Sequence, residues 1–361
     1  MRIGLIAPPW VAVPPVRYGG TEQVVHDLAC GLTALGHEVR LFTVGTSTCP
    51  VTRQWYFDKP SEPLGSTVPE AAHVLAAYLA LADVDVIHDH TILGPLVAGR
   101  LPGLPPVATT NHGPFTAETR AIYRESAKNA AVVAISHSQR STAPEIPVAA
   151  VIHHGIDLHR YSYGEGEGDY LLFVGRMSPD KGLHRAIGVA RKAGRRLVAI
   201  SKMQEPEEHA YYEQAVAPLL GADVELLDKT SLDELIAIMR TATAMLNPIS
   251  WPEPFGLVMA EALACGTPVL AFPNGAAPEI VDDGKTGYLC PNESSMVLAL
   301  SHIDAIDRRQ CRQAAEQRFD RTRMATDHER LYQRLIASDP DTAGRLHVRT
   351  SRTHLHPHRH G

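Results

Sequence analysis

The sequence predicts an α/β protein made of two doubly wound domains, each built on a parallel sheet. At about 150 residues per domain, the 361 residues fit two domains. Short apolar runs alternate with stretches of helical periodicity in both halves, as in parallel sheets covered by helices. A polar segment with alternating glycines, GEGEGD at 164–169, separates the halves and is typical of a linker.

The first half begins with a strand, a helix and a second strand. The apolar run at 2–7 predicts a strand, and apolar residues at helical spacing over 22–35 predict a helix that ends at Gly36. The run VRLFTV at 39–44 predicts the next strand. Further strands are predicted at 84–88, 106–110 and 132–136. We therefore assign residues 1–163 to an N-terminal domain.

The second half repeats this order after the linker. Strands are predicted at 170–175, 196–200, 224–227, 243–248 and 267–272, with helices between them. Helical periodicity continues to about residue 336, so residues 164–336 are assigned to a C-terminal domain. Residues 337–361 are rich in histidine and lack periodicity, which predicts a disordered tail without a role in the chemistry.

Composition and charge exclude several classes of protein. Apolar residues make up 44% and charged residues 20% of the chain, which is ordinary for a globular protein. The net charge of −6 offers no basic surface for a polyanion, so we expect no nucleic-acid partner. No apolar run is long enough for a transmembrane segment, and the start MRIGLIAPPW lacks the features of a signal peptide. These features predict a cytoplasmic protein.

Five cysteines occur singly, without a C-x-x-C pair. This spacing suggests neither a disulfide framework nor a zinc site, so reduced thiols are expected. They are Cys30, Cys49, Cys265, Cys290 and Cys311.

The segment WPEPFGLVMAE at 251–261 is the most informative one. Prolines on both sides keep Glu253 in a loop, while the following residues favour a helix. Phe255 and Gly256 would then stand at a helix N-terminus, which binds anions, and Glu261 could accept hydrogen bonds from a ribose diol. The alternative is a surface loop with two solvated glutamates. A glycosidase carboxylate pair fits poorly, because the eight-residue interval implies roughly 10 Å or more, against about 5–10 Å in glycosidases.

Two cations follow a predicted strand in GRMSPDKG at 175–182. Arg176 and Lys181 would lie at the carboxyl end of a parallel strand, where open α/β sheets bind ligands, and both suit phosphate oxygens. The alternative is two exposed cations on a turn. Gly19 and Gly20 open the first helix and would allow a ligand close to the backbone. Neither a dinucleotide G-x-G-x-x-G motif nor a complete P-loop is present.

Nineteen histidines invite metal hypotheses. His88 and His90 alternate on a predicted strand and share a face, but no third ligand is evident, so a structural role is favoured. His112 follows another strand and is expected to face the cleft between the domains. A solvated loop histidine is the alternative reading.

Taken together, these residues resemble glycosyltransferase family 4, over residues 1 to about 336. The most specific elements are the E-x7-E pair at Glu253 and Glu261, GRMSPDKG at 175–182 and PEIVDDGKTG at 278–287. Weaker matches are YGGTE at 18–22, NHG at 111–113 and HGID at 154–157. The resemblance implies the GT-B fold, two Rossmann-like domains that face each other across a cleft, with acceptor binding in the first domain and donor binding in the second.

The resemblance also implies roles for individual residues. Arg176 and Lys181 would bind the donor pyrophosphate, and Glu261 the ribose hydroxyls. Other residues implied in binding the donor are Gly19 and Gly20 beside the phosphates, Met203 near the base, and Glu253 with the amides of Phe255, Gly256 and Leu257 around the sugar. His112 would approach the C6 hydroxyl, and His112, Arg176, Lys181 and Glu253 would be the catalytic set.

The implied reaction transfers a hexose, with retained anomeric configuration, from a nucleoside-diphosphate sugar to a hydroxyl of a sugar, glycan or small-molecule acceptor. It needs no metal and no cofactor besides the donor, for which UDP-glucose is the expectation. The alternatives are a non-catalytic nucleotide-sugar binding module and an epimerase or phosphorylase of the same fold. The sequence indicates neither the acceptor nor the oligomeric state.

Overall fold

The computed structural model describes residues 1–16, 19–228 and 230–339. Its first part is a seven-stranded sheet flanked by helices. The strands are β1 (Arg2–Ile6), β2 (Glu38–Thr43), β3 (Thr52–Trp55), β4 (Val86–Asp89), β5 (Val107–Thr110), β6 (Ala131–Ala134) and β7 (Val148–Val151). They pair in parallel in the order β3-β2-β1-β4-β5-β6-β7. The helices are α1 (Gly20–Ala34), α2 (Thr67–Ala80), α3 (Gly94–Ala98), α4 (Ala117–Ser126) and α5 (His137–Ser141).

The second part is a six-stranded parallel sheet with the order β10-β9-β8-β11-β12-β13. Its strands are β8 (Tyr170–Arg176), β9 (Arg196–Lys202), β10 (Val224–Leu227), β11 (Ala244–Asn247), β12 (Val269–Ala271) and β13 (Gly287–Leu289). Its helices are α6 (Leu183–Lys192), α7 (Pro206–Tyr211), α8 (Leu232–Thr241), α9 (Leu257–Ala264), α10 (Ala277–Ile280), α11 (Glu293–Leu300), α12 (Arg308–Arg318) and α13 (Arg321–Ser338).

This architecture confirms the predicted fold class of two parallel, doubly wound sheets. The sequence prediction missed β3, β7 and β13, which are all edge strands. An edge strand is less buried than a central one, so the sequence TRQW of β3 lacks the continuous apolar run of the inner strands. The sheets span residues 2–151 and 170–289, and the assignment of the domain limits at 163 and 336 stays a prediction.

The glycine-alternating segment at 164–169 is bound to the second part of the chain. The backbone N–H of Gly168 donates to the Thr241 carbonyl, and the Arg308 guanidinium donates to the carbonyl of Gly164. A Cβ atom on Gly164 would lie 2.3 Å from the Arg240 carbonyl oxygen. The glycines therefore allow close packing here, rather than the free linker that the composition predicts.

The last helix returns to the first part of the chain. Helix α13 packs along α1, where a Cβ atom on Gly31 would lie 2.8 Å from the Cβ of Ala325. Met324, Leu331 and Tyr332 are buried in the same apolar cluster as the inner face of α1. This helix reaches Ser338, so it includes the first two residues of the predicted tail. From Pro340 onward that tail lies outside the described residues.

None of the helices in the described part of the chain combines the length and the apolar character that a bilayer span requires.

Candidate active site

The candidate site lies where the carboxyl ends of the two sheets face each other. Helix α1 follows the loop after β1, and α9 follows the loop after β11. A Cβ atom on Gly20 would lie 3.7 Å from Cδ1 of Leu257, and Leu257 packs against apolar clusters of both parts. The N-termini of α1 and α9 therefore meet across the cleft. Their free N–H groups and partial positive charges favour an anion between them.

The start of α1 has no room for a side chain at Gly19. A Cβ atom there would lie 2.7 Å from a carboxylate oxygen of Glu22 and 2.9 Å from Cβ of Pro15. Glu22 itself is only 6% exposed. Burial raises its pKa to about 7, against the lowering effect of a hydrogen bond with its own backbone. Tyr18, which precedes these glycines, lies outside the described residues.

Lys181 and Glu253 form an ion pair at the centre of the site. Lys181 follows β8, and its ammonium also lies 5.4 Å from the centre of the Trp251 ring. Gly182, in the left-handed region at φ 80°, ends this loop and caps α6. Both charged side chains are mostly buried, with exposures of 16% and 17%. An ammonium held in this way is a local cation for phosphate oxygens in a protein of negative net charge.

Arg176 ends β8 beside the end of β9. It pairs in register with Lys202, so Met203 follows directly at the same sheet edge. Its guanidinium is 45% exposed and lies 3.8 Å from a carboxylate oxygen of Glu208. Glu208 is buried because it caps α7, where it accepts the N–H of Gln204. Arg176 thus remains partly exposed at the carboxyl end of β8, while one side of its guanidinium lies beside the Glu208 carboxylate.

The loop before α9 turns sharply into the helix. Gly256 is the N-cap of α9 and has a φ of 95°, a conformation that costs other residues about 1–2 kcal/mol. The preceding Phe255 is buried among apolar side chains and anchors the loop. The amides of Gly256 and Leu257 therefore lie at the helix entrance, as the sequence predicts.

A second glycine holds Glu253 in place. Gly275 has a φ of 59°, and a Cβ atom there would lie 2.2 Å from the carbonyl oxygen of Glu253. The N–H of Ala276 donates to that same carbonyl at 2.9 Å. The loop after β12 thus presses directly on the backbone of the candidate sugar-binding glutamate.

Glu261 lies one turn into α9 and is tied to the chain before the second sheet. The hydroxyl of Tyr161 donates to its Oε1 at 2.9 Å. Burial raises the pKa of Glu261, while this hydrogen bond and the charge of Arg160 lower it. One carboxylate oxygen of Glu261 is therefore oriented by Tyr161.

His112 follows β5 and joins a chain of aromatic rings. Its Nε2 lies 2.9 Å from Nδ1 of His90, and its ring stacks on His154 at 5.2 Å. His154 in turn contacts Phe255 of the α9 loop at 5.0 Å. Burial, followed by the charge of His328, lowers the pKa of His112 to about 3, so the ring is neutral at pH 7. Its Nδ1 is buried and lacks a hydrogen-bond partner within the described residues.

His88 has structural partners, in agreement with the reading favoured by its spacing. Its two ring nitrogens lie 2.7 Å from the hydroxyl of Tyr332 and 2.8 Å from Oγ1 of Thr110. The ring therefore connects α13 to the end of β5, and it is fully buried beside the ring of His90, with the ring centres 4.1 Å apart.

Glu279, in the predicted 278–287 motif, links the two parts of the chain. Its carboxylate accepts the backbone N–H groups of His137 and Ser138 at the start of α5, and it lies 2.8 Å from Nε2 of His153. Burial raises its pKa, but these hydrogen bonds outweigh that effect and the net pKa is lowered. This contact explains the motif's acidic residue as a structural bridge.

Sequence reasoning missed the residues that orient the site. Tyr161 donates a hydrogen bond to Glu261, and Glu208 lies beside Arg176. The ring of Trp251 lies beside the ammonium of Lys181. No local pattern identifies such partners, since Tyr161 is 100 residues from Glu261. His90 did carry a signal, because its alternation with His88 on one strand indicated a shared structural environment.

Two family profiles match the chain. "Glycosyltransferase Family 4" matches residues 18–160, and "Glycosyl transferases group 1" matches residues 157–320. Curated relatives include glycogen synthase of Mycobacterium tuberculosis, 25% identical over 92% of this chain and 94% of the relative. The phosphatidyl-myo-inositol mannosyltransferase of the same organism is 25% identical over 85% of this chain and 86% of its own.

Solved structures give the same picture. AviGT4, a glycosyltransferase involved in avilamycin A biosynthesis, is 28% identical and superposes with a TM-score of 0.71 over 94% of this chain and 98% of its own. HepE of Anabaena, solved in complex with UDP and glucose, is 20% identical with a TM-score of 0.74 over 92% and 99%. The latter similarity is evidence for the fold alone.

Proposed function

The chain belongs to glycosyltransferase family 4, and from that premise we propose that it transfers a hexose from a nucleoside-diphosphate sugar to an acceptor hydroxyl with retained anomeric configuration. The observation that carries the proposal is the Lys181–Glu253 ion pair at the entrance of α9, opposite the start of α1. The pair supplies a cation for a diphosphate and a carboxylate for a sugar. The N-termini of α1 and α9 lie beside it and favour the same anion.

The diphosphate binds between Arg176, Lys181 and the helix entrances. Gly19 and Gly20 let its oxygens approach the backbone of α1, because neither residue carries a side chain there. Breaking the bond between sugar and phosphate builds negative charge on the leaving diphosphate. Fixed cations and amides therefore stabilise the transition state more than the bound donor. In this scheme they supply the stabilisation that a divalent cation provides in other transferases.

The nucleoside and the sugar occupy opposite sides of the α9 entrance. Glu261, oriented by Tyr161, accepts the ribose hydroxyls, and Met203 lines the base pocket. Glu253 accepts a hydroxyl of the transferred sugar beside the amides of Phe255, Gly256 and Leu257. This division of labour is supported by the positions of the two carboxylates, since Glu253 lies in the loop before α9 and Glu261 lies one turn into the helix.

The acceptor attacks the anomeric carbon on the face from which the diphosphate leaves. The acceptor oxygen forms the new bond to carbon while the sugar–phosphate bond breaks, and the acceptor proton passes to the departing phosphate oxygen. Anomeric configuration is retained without a covalent intermediate on the protein. His112, neutral because its pKa lies near 3, approaches the sugar near its C6 hydroxyl.

The donor is UDP-glucose in this proposal, and transfer takes place in the cytoplasm. The support for the donor is the resemblance of YGGTE, NHGPF and WPEPFGLVMAEAL to family members associated with uridine-linked hexoses. The acceptor is a glycan or small molecule bound by the N-terminal loops.

A nucleotide panel followed by a transfer assay tests the proposal. The first measurement is thermal stabilisation by UDP, GDP, ADP and dTDP with and without magnesium, since a ligand at 100 times its Kd stabilises by about 2.7 kcal/mol. We expect UDP to stabilise the protein without magnesium. Stabilisation by a nucleotide sugar without any transfer or hydrolysis would favour the non-catalytic binding module instead.

Arg176→Ala then tests the phosphate clamp. We expect turnover to fall at least a hundredfold, equivalent to about 3 kcal/mol of transition-state stabilisation. Arg196→Ala is the matched control, because Arg196 is 54% exposed at the opposite end of the same sheet and pairs with Glu225. Equal turnover in both variants would contradict the assignment of Arg176.

A further inference from the structure

Folding brings together three metal-binding side chains on the flank of α1, away from the helix entrance. His26 and Cys30 are four residues apart and share one face of the helix. Cys49 reaches the same point from the loop between β2 and β3 and is 1% exposed. One ring nitrogen of His26 and the two sulfur atoms all lie within 4.8 Å of one another.

The spacing matches a tetrahedral zinc site. With Zn–S near 2.3 Å and Zn–N near 2.05 Å, tetrahedral ligands stand about 3.6 Å apart for N and S, and about 3.8 Å apart for two sulfurs. The observed distance from His26 Nε2 to Cys30 Sγ is 3.7 Å. One ligand edge therefore already has the required length, and small side-chain shifts close the others.

We propose that His26, Cys30 and Cys49 bind a thiophilic divalent cation of the Zn²⁺ type, separate from the sugar-transfer site. One nitrogen and two sulfur ligands are typical of zinc, and water completes the fourth position because His26 and Cys30 are only half-buried. Binding converts both thiols to thiolates and releases their protons. With three protein ligands and no acceptor for His26 Nδ1 among the described residues, we expect weaker binding than in a four-ligand structural site.

The metal would fasten α1 to the loop between β2 and β3. Helix α1 begins at the candidate active site, and the loop between β2 and β3 belongs to the N-terminal acceptor region of the proposed function, on which this step rests. Without metal, Cys49 packs with the buried face of α1 in the core of the first sheet. A bound ion would therefore fix the loop between β2 and β3 against α1 on the acceptor side of the cleft.

Cobalt(II) titration of the full chain under a non-thiol reductant tests the site. Thiolate-to-cobalt charge transfer absorbs in the near ultraviolet, and the histidines of the C-terminal segment cannot produce it. We expect one equivalent to develop this band together with tetrahedral d–d absorption, and Zn²⁺ to displace both. Cys49→Ser and Cys30→Ser should lose the charge-transfer intensity at least in part. Cys290→Ser, which removes a buried cysteine of the second sheet, should keep it.

Melting temperatures with and without Zn²⁺ distinguish loss of the metal site from loss of folding in a variant. One equivalent of Zn²⁺ should raise the melting temperature of the wild type and of Cys290→Ser more than that of His26→Gln. Absence of a thiolate band in folded wild type, or an unchanged band in Cys49→Ser, would overturn the proposal. If Cys30 and Cys49 form a disulfide with each other under the same reductant, neither is available as a thiol ligand, and this result would also overturn the proposal.

Discussion

Replacing Glu22 by Gln should stabilise the protein above pH 7 by about 3 kcal/mol. Glu22 is 6% exposed, and burial raises its pKa from 4.5 to about 7. At about 1.4 kcal/mol per pH unit, the interval between these values corresponds to about 3 kcal/mol. The folded state binds the proton more tightly than the unfolded state, so stability is fully present below pH 4.5 and falls as the pH rises to 7. A glutamine stays neutral and avoids this loss.

The assay is the melting temperature of the wild type and of Glu22→Gln between pH 5 and pH 8. At about 2.1 cal/mol/K per residue, a chain of 361 residues has an unfolding entropy near 0.8 kcal/mol/K, so 3 kcal/mol corresponds to about 4 °C. The two proteins should differ by about 1 °C at pH 5 and by about 4 °C at pH 8. Other titrating groups, such as Asp89, cancel in the difference because both proteins contain them.

Glu207→Gln is the control, because Glu207 is an exposed carboxylate in the first turn of α7. Its melting curve should run parallel to that of the wild type. A constant difference between Glu22→Gln and the wild type across the pH range would refute the reasoning, since it would show that Glu22 ionises in the folded protein as it does in the unfolded one. The same ionisation places a negative charge beside the start of α1, so diphosphate binding to the wild type should weaken above pH 7.

Two further predictions concern the α9 entrance. Gly275→Ala should reduce transfer at least tenfold, because its Cβ would lie 2.2 Å from the carbonyl oxygen of Glu253 and must displace that loop. Gly284→Ala is the control, because Gly284 has a similar positive φ of 73° but open space around it. This variant should show normal transfer in steady-state kinetics and lose only about 1 kcal/mol of unfolding free energy in thermal melting. Tyr161→Phe removes a hydrogen bond to the Glu261 carboxylate, worth about 1.5–3 kcal/mol for a charged partner. Calorimetry should find diphosphate binding weakened about tenfold, and unchanged affinity would contradict the role of Tyr161.

The sequence by itself determined the architecture and the local form of the site. Alternating apolar runs and helical periodicity are local signals, and they are sufficient for two parallel sheets with their inner strands. Pro252, Pro254 and Gly256 act within a few bonds, so the turn into α9 could also be predicted. Three of the four edge strands were missed: the sequence TRQW of β3 lacks the apolar run on which the prediction depends, and β7 and β13 are only four and three residues long.

The tertiary structure decided which distant residues meet. The pairing of Lys181 with Glu253, the hold of Tyr161 on Glu261 and the return of α13 to α1 join residues far apart in the chain. The same holds for Cys30 and Cys49, whose separate positions in the sequence indicated plain reduced thiols. Such contacts depend on strand order and on how the two sheets face each other. Periodicity and short motifs carry no information about either, because both are set by packing over the whole chain.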